Sequence, residues 1–284
     1  MSSPSGDAAP RFLPQFQALV ADDARIDLAA AALAYAREEY PSLDPGTYLG
    51  RLDALADEAR GWFPAEGEPR EVIDGLAAFL AGEKGFRGND SEYDDPRNSF
   101  LNEVLDRGIG LPITVTAVWT EVARRLGLPI VGVGMPGHFI AKWADRDEEV
   151  LLDPFAGGKV ITREECLVRL RGMYGDAAEL TDDHFTAWRP RDTLARMLRN
   201  LKGVYARGGA HPRALWVVEY LLVLFPDSPE DLRDRGAIRF HAGDWVGAEE
   251  DLARAATLWP EGEEGRDVVE GLAEQVRRMR RRMN

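Results

Sequence analysis

The sequence predicts an α+β protein that closes in an all-helical repeat. Three observations carry that expectation. Apolar residues recur at three- and four-residue spacing through residues 14–80. Three short apolar runs between residues 130 and 152 are separated by Gly/Pro or charged turns, as in an antiparallel meander. From residue 190 onward, the chain repeats itself with a period of 34 residues.

The elements follow in order. Residues 1–13 are small, polar and proline-bearing, with no basic segment leading into an apolar one, and are expected to be disordered. An N-terminal helical region is expected over 14–97. Leu28, Ala31, Ala32, Tyr35 and Ala36 fall on one helix face, and Tyr48, Leu52, Leu55 and Ala59 repeat the pattern. Pro41 and Pro45 separate the two helices. A third run, Val72, Leu76, Phe79 and Leu80, ends in GEKGFRGNDSEYDDP (82–96), whose glycines and Pro96 mark a long loop. Long loops inside compact domains are either functional or floppy.

A core is expected over 98–189. NSFLNEVLDRGIGLPITVTAVWTEVARRLGLP reads as a short helix, a Gly-rich turn and a second helix. Pro112 suits a first helical turn, Val115, Val118, Trp119 and Val122 form the buried stripe, and Gly127 with Pro129 ends the helix. Strands are expected at Ile130–Val133, Phe139–Trp143 and Val150–Leu152.

Residues 190–284 carry the repeat. Leu198 and Leu232, Ala214 and Ala248, and Pro226 and Pro260 each stand 34 apart. A small residue in the second helix and a closing proline at this period are the tetratricopeptide signature. Helix pairs are expected at 194–207 with 211–225 and at 230–241 with 245–258, with a polar capping helix near 265–283. Leu201 and Tyr205 fill apolar places in the first unit, whereas Arg235 and Arg239 occupy them in the second and mark it as degenerate.

Charge and cysteine content narrow the function. The 284 residues hold 35 Lys+Arg against 49 Asp+Glu, a net charge of −14. Such acidity argues against nucleic-acid and anionic-membrane partners. The longest small-and-apolar run, Leu28–Ala36, is nine residues, against about twenty for a membrane span. A soluble, cytoplasmic protein is expected. One cysteine excludes an intrachain disulfide framework and a Cys-based zinc site. Five arginines lie between residues 277 and 282. They read as a solvated helix C-terminus favoured by the helix dipole, or alternatively as a contact to an acidic face.

The chemistry-bearing residues are His138, at the head of a strand after a Pro-Gly turn, and Asp153, at the end of a later strand. Neighbouring antiparallel strands can bring the two side by side, so that the carboxylate orients the imidazole as in the base half of a catalytic triad. A plain structural hydrogen bond is the other reading of that spacing. His184, His211 and His241 lack metal-binding spacing, and His138 with Asp153 supplies only two ligands, so no metal and no cofactor are expected. GVGMPG is not a dinucleotide fingerprint, because no helix opens after it.

The helix ending in RRLGLPI, the following strand, the His heading the next and the Asp-Pro closing the third resemble the transglutaminase-like, papain-like core. More closely, GFRGND, NSFLNEVL, GLPITV, GVGMPGHF, LLDPFAGG and RMLRNLK with trailing repeats are similar to bacterial proteins that join such a core to tetratricopeptides, typified by the SirB invasion regulators. The resemblance spans residues 28–260. It implies a Cys at the helix N-terminus that attacks an amide, a His that takes the proton and an Asp that orients the His. His138 and Asp153 match. The Cys slot falls at Pro112–Thr114, and no cysteine is there. Cys166, in TREECLVRLRGMY, is expected to be a small core residue of an amphipathic helix with Leu167, Leu170 and Tyr174. Thr114 offers a hydroxyl near the slot, and Pro112, Asn98 and Asn102 are candidate pocket-lining residues, the two asparagines a turn apart on the preceding helix.

Two functions follow as expectations. The first is a non-catalytic regulatory module that holds a protein or peptide partner through its tetratricopeptide region. The alternative is an amide or peptide hydrolase or transferase that uses His138 and Asp153 with water or Thr114.

Overall fold

The computed structural model describes residues 9–145 and 149–283. In chain order, the elements are α1 (Leu13–Leu19), α2 (Leu28–Ala36), α3 (Pro45–Ala59), α4 (Pro69–Ala77), β1 (Arg87–Gly88), α5 (Leu101–Arg107), β2 (Ile109–Gly110) and α6 (Pro112–Leu126). Then come β3 (Ile130–Met135), β4 (His138–Ala144), β5 (Glu149–Asp153), β6 (Lys159–Ile161) and α7 (Arg163–Tyr174). The helices α8 (Pro190–Arg207), α9 (His211–Leu224), α10 (Pro229–Ala242), α11 (Trp245–Leu258) and α12 (Glu264–Met283) complete the chain. Among the described residues, no helix is long and apolar enough to cross a membrane.

The chain divides into two compact units. One holds residues 21–197; the other joins the residues up to Val20 with those from Leu198 onward. This differs from the four expected segments: residues 21–97 and the core form one unit, and α1 belongs with the repeats. Of the stretch 1–13 expected to be disordered, residues 1–8 lie outside the described residues.

In the unit 21–197, α2 is buried from Ala29 to Ala36 apart from Ala30. A helix of alanine and leucine with one tyrosine has no charged face to offer water, so it goes to the centre rather than lying amphipathically on the surface. Asp27 caps it by accepting from the Ala30 amide at 2.8 Å. The buried Tyr35 hydroxyl donates to the Ser99 carbonyl at 2.9 Å. Helix α6 begins at Pro112, as its sequence predicts, and ends at Gly127, whose φ of +73° is a left-handed cap that a side chain would strain. Strands β3-β4-β5-β6 form an antiparallel meander. The fourth strand is only three residues long and has no readable period in the sequence.

The expected loop 82–96 is more ordered than its composition predicts. One π-helical turn, Ala78–Glu83, extends α4, and β1 pairs in parallel with β2. Asn89 is buried and donates from Nδ2 to Asn98 Oδ1 at 3.1 Å.

The other unit contains the expected helix pairs and cap. Val218, Leu232, Ala248, Leu252, Ala255, Val269 and Val276 share one apolar core, and Phe16 of α1 packs edge-on against Tyr220 at 4.9 Å between ring centres. Asp231 is fully buried, with Lys202 Nζ at 2.9 Å, Arg199 Nη2 at 3.1 Å and the Ser228 hydroxyl at 2.8 Å. Burial alone would raise its carboxyl, but these partners outweigh it and hold it below the usual range. Arg235 and Arg239 do more than interrupt a pattern. Arg235 makes two hydrogen bonds to Asp251 at 2.6 and 2.8 Å and one to Glu219 at 2.8 Å, and Arg239 joins the same two carboxylates. An ion network therefore occupies the place of apolar packing. In α12, Arg280 pairs with Glu249 at 2.7 Å.

Candidate functional site

The β3–β4 connection sets the site. Met135 pairs with His138 across the two-residue turn Pro136–Gly137, so His138 opens β4. Lys142 pairs with Leu151, which puts Leu151 and Asp153 on the sheet face that carries His138 and Ile140. His138 donates from Nε2 to Asp153 Oδ2 at 2.9 Å. Its Nδ1 has no protein hydrogen-bond partner among the described residues. Asp153 has no solvent exposure, and its other oxygen accepts from the Ala156 amide at 3.3 Å.

A third group holds this carboxylate. Arg169 of α7 donates from Nη1 to the same Asp153 Oδ2, also at 2.9 Å. Burial would raise the Asp153 carboxyl; the hydrogen bond and charge of His138 and the Arg169 guanidinium win, and it lies below the ordinary carboxylate range. Sequence reasoning missed Arg169, whose only signal was its place three residues after Cys166 on a predicted helix. Arg196 was missed too: it donates to the carbonyls of Met135 at 2.8 Å and His138 at 3.0 Å and so clips the turn. Phe155 stands edge-on to the imidazole, with 6.0 Å between ring centres. Its ring lies against Gly88, where an added Cβ would come within 2.4 Å of it, so the glycine in GFRGND makes room for the residue beside His138.

The start of α6 is a separate polar group. Pro112, Ile113 and Thr114 are all buried. The Thr114 hydroxyl donates to the Asn98 carbonyl at 2.7 Å. Asn98 and Asn102 do not share a helix: Asn98 sits in a 3-10 turn, Pro96–Ser99, and the extended Phe100 (φ −105°, ψ 124°) separates it from α5. The Asn98 side chain is used up by the Glu92 carbonyl at 2.7 Å and by Asn89. Asn102 is buried, and its Oδ1 has no partner among the described residues. Among the described residues, no hydrogen bond or ion pair links this group to His138 and Asp153.

Cys166 is buried among Val133, Met135, Ile140, Leu151 and Phe185. Burial pushes its thiol up to about 11; the Arg169 charge opposes this, and that of Asp153 adds to it. Tyr174, expected to share the inner face of α7, is instead exposed. Among the described residues, no group of three or more His, Cys, Asp or Glu is placed to hold a metal ion.

Comparison with known proteins agrees with this architecture. Residues 46–199 match the family described as the transglutaminase-like superfamily, and residues 201–284 match the tetratricopeptide repeat. A UPF0162 protein of Xylella fastidiosa (strain 9a5c) is 38% identical over 258 residues, covering 87% of this chain and 90% of that protein. UPF0162 protein PA3419 of Pseudomonas aeruginosa is 31% identical over 229 residues, covering 80% and 83%. F-box only protein 21 of Mus musculus is 27% identical over 186 residues, covering 62% of this chain and 29% of that protein. With family models matching residues 46–199 and 201–284 and the two bacterial relatives aligned along most of their length, the chain belongs to the transglutaminase-like superfamily, among the bacterial UPF0162 proteins, and carries a tetratricopeptide region.

Proposed function

We propose that this protein is a non-catalytic regulatory module of the cytoplasm that holds a protein or peptide partner through its repeats. The observation that carries this reading is the state of the sulfur. The N-terminus of α6 presents Pro112, Ile113 and Thr114, and the single cysteine is packed among apolar side chains with its thiol pushed up to about 11. Covalent attack on an amide needs a thiolate or an activated hydroxyl. The Thr114 proton is given to a backbone carbonyl rather than to a base. Repeats of this type offer extended surfaces to peptides, which supports partner binding as the retained role.

A second reading rests on the His138–Asp153 hydrogen bond at 2.9 Å, the geometry of an oriented base. In that reading, Nδ1 of His138 activates a water for amide hydrolysis. Cross-linking capture from native extract tests the first reading, using the full chain and a chain ending at Gly208. A partner held by the full chain and lost on truncation supports it. Equal capture by both, or none by either, contradicts it.

A further inference from the structure

Arg196 is partly buried, burial disfavours its charge, and among the described residues no carboxylate lies within ion-pair distance of it. Among the described residues, the phenols of Tyr93 and Tyr174 are the titratable groups that bear on its charge. Its direct contacts are neutral: the Met135 and His138 carbonyls accept two of its five N–H groups, and the rings of Phe139 and Trp188 lie 5.7 and 5.5 Å from its guanidinium carbon. Carbonyl dipoles and ring faces offset part of the desolvation of a cation, but a guanidinium withdrawn from water without a counter-charge remains costly. Among the described residues, no ion pair joins Arg196 to Asp90 or Asp94 of the nearby acidic loop.

The surface beside this cation is aromatic and open. Tyr93 is 48% exposed, Met173 48% and Tyr174 62%. They belong together at the β3–β4 turn: an added Cβ on Gly137 would meet Met173 and Tyr174, and Tyr93 and Tyr174 both act on Arg196. The turn itself carries His138, whose Nδ1 has no protein partner.

We propose that Arg196 receives a carboxylate of a peptidic ligand whose neighbouring apolar side chain lies on Tyr93, Met173 and Tyr174, beside His138. One planar guanidinium with free N–H groups fits one carboxylate, whereas a phosphate dianion is normally held by several cations. Arg169, the other guanidinium near the imidazole, is already committed to Asp153. This site lies within residues 21–197 and is independent of peptide binding by the repeats.

Three probes test it on the full chain by calorimetry: N-acetylphenylalanine (a chain-terminal carboxylate), N-acetyl-Glu-Phe-amide (a side-chain carboxylate) and N-acetylphenylalaninamide (none). One or both acids are expected to bind at least about tenfold more tightly than the amide, and the stronger acid identifies the source of the carboxylate. Arg196→Lys, which keeps a charge and donors for the turn, is expected to erase most of that difference, and Tyr174→Ala to weaken all three probes. Acids and amide binding equally, no binding by either acid, or an Arg196→Lys protein that still prefers the acid as wild type does would overturn the proposal.

Discussion

Cys166 and Arg169 stand three residues apart on α7 and serve opposite sides of the same junction. Cys166 turns its sulfur into the apolar cluster of β3, β4 and β5, while Arg169 reaches across to the carboxylate that orients His138. The cation that would lower a thiol is thus spent on Asp153, and the sulfur is left to burial.

Thiol chemistry follows directly. With the thiol at about 11, only about one molecule in a thousand carries a thiolate at pH 8. Iodoacetamide should label native Cys166 far more slowly than the urea-unfolded chain, and Cys166→Ala should leave partner capture unchanged. Labelling of the native protein at the unfolded rate would show that the sulfur is not buried as described.

Asp153 links stability to pH. Its folded carboxyl titrates below its unfolded counterpart, so its contribution is complete above the unfolded value of about 3.9 and is lost as pH falls from there through the folded one. Asp153→Asn removes the negative charge shared by a buried imidazole and a half-exposed guanidinium and should cost about 2 kcal/mol at pH 7. Urea unfolding of both proteins across pH 3–7 should show the difference narrowing toward the acid end. A gap that is constant over this range contradicts the assignment.

The Arg235–Asp251 network predicts an asymmetry. Asp251→Ala removes a buried acceptor from two guanidinium groups and should cost about 3 kcal/mol. Replacing Glu219, Arg235, Arg239 and Asp251 together by leucine or methionine should recover most of that loss, because apolar packing substitutes well for a buried ion network. Thermal melts of the full chain decide it; a combined variant worse than Asp251→Ala refutes the account.

The left-handed cap at Gly127 makes a smaller claim. Gly127→Ala should destabilise by about 1 kcal/mol through backbone strain alone, since its φ is +73°, and nothing lies within 4 Å of the added methyl. A neutral result in urea unfolding would show that the helix end relaxes.

Much of this was legible because it is punctuated. Pro112 and Gly127 bracket α6, and the 34-residue period places α9, α10 and α11 to within a residue, while α8 starts four residues before the expected 194. His138 and Asp153 could be paired because strand ends beside turns must meet in a meander. What escaped depends on packing across the chain. Arg169 is invisible until α7 is laid over the sheet, and β1 and β2, two residues each, are too short for any period. Asn98 and Asn102 have helical spacing, but Phe100 between them is extended. Arg235 and Arg239 break an apolar pattern, and only their partners show that a network replaces it.

The most direct measurement is amide turnover by the purified full chain, on a glutamine-containing peptide with and without an added primary amine. A chain that lost its attacking group should release ammonia no faster than its His138→Ala variant. Turnover that survives in Cys166→Ala but disappears in both His138→Ala and Asp153→Asn would contradict the non-catalytic account and establish the imidazole as a working base.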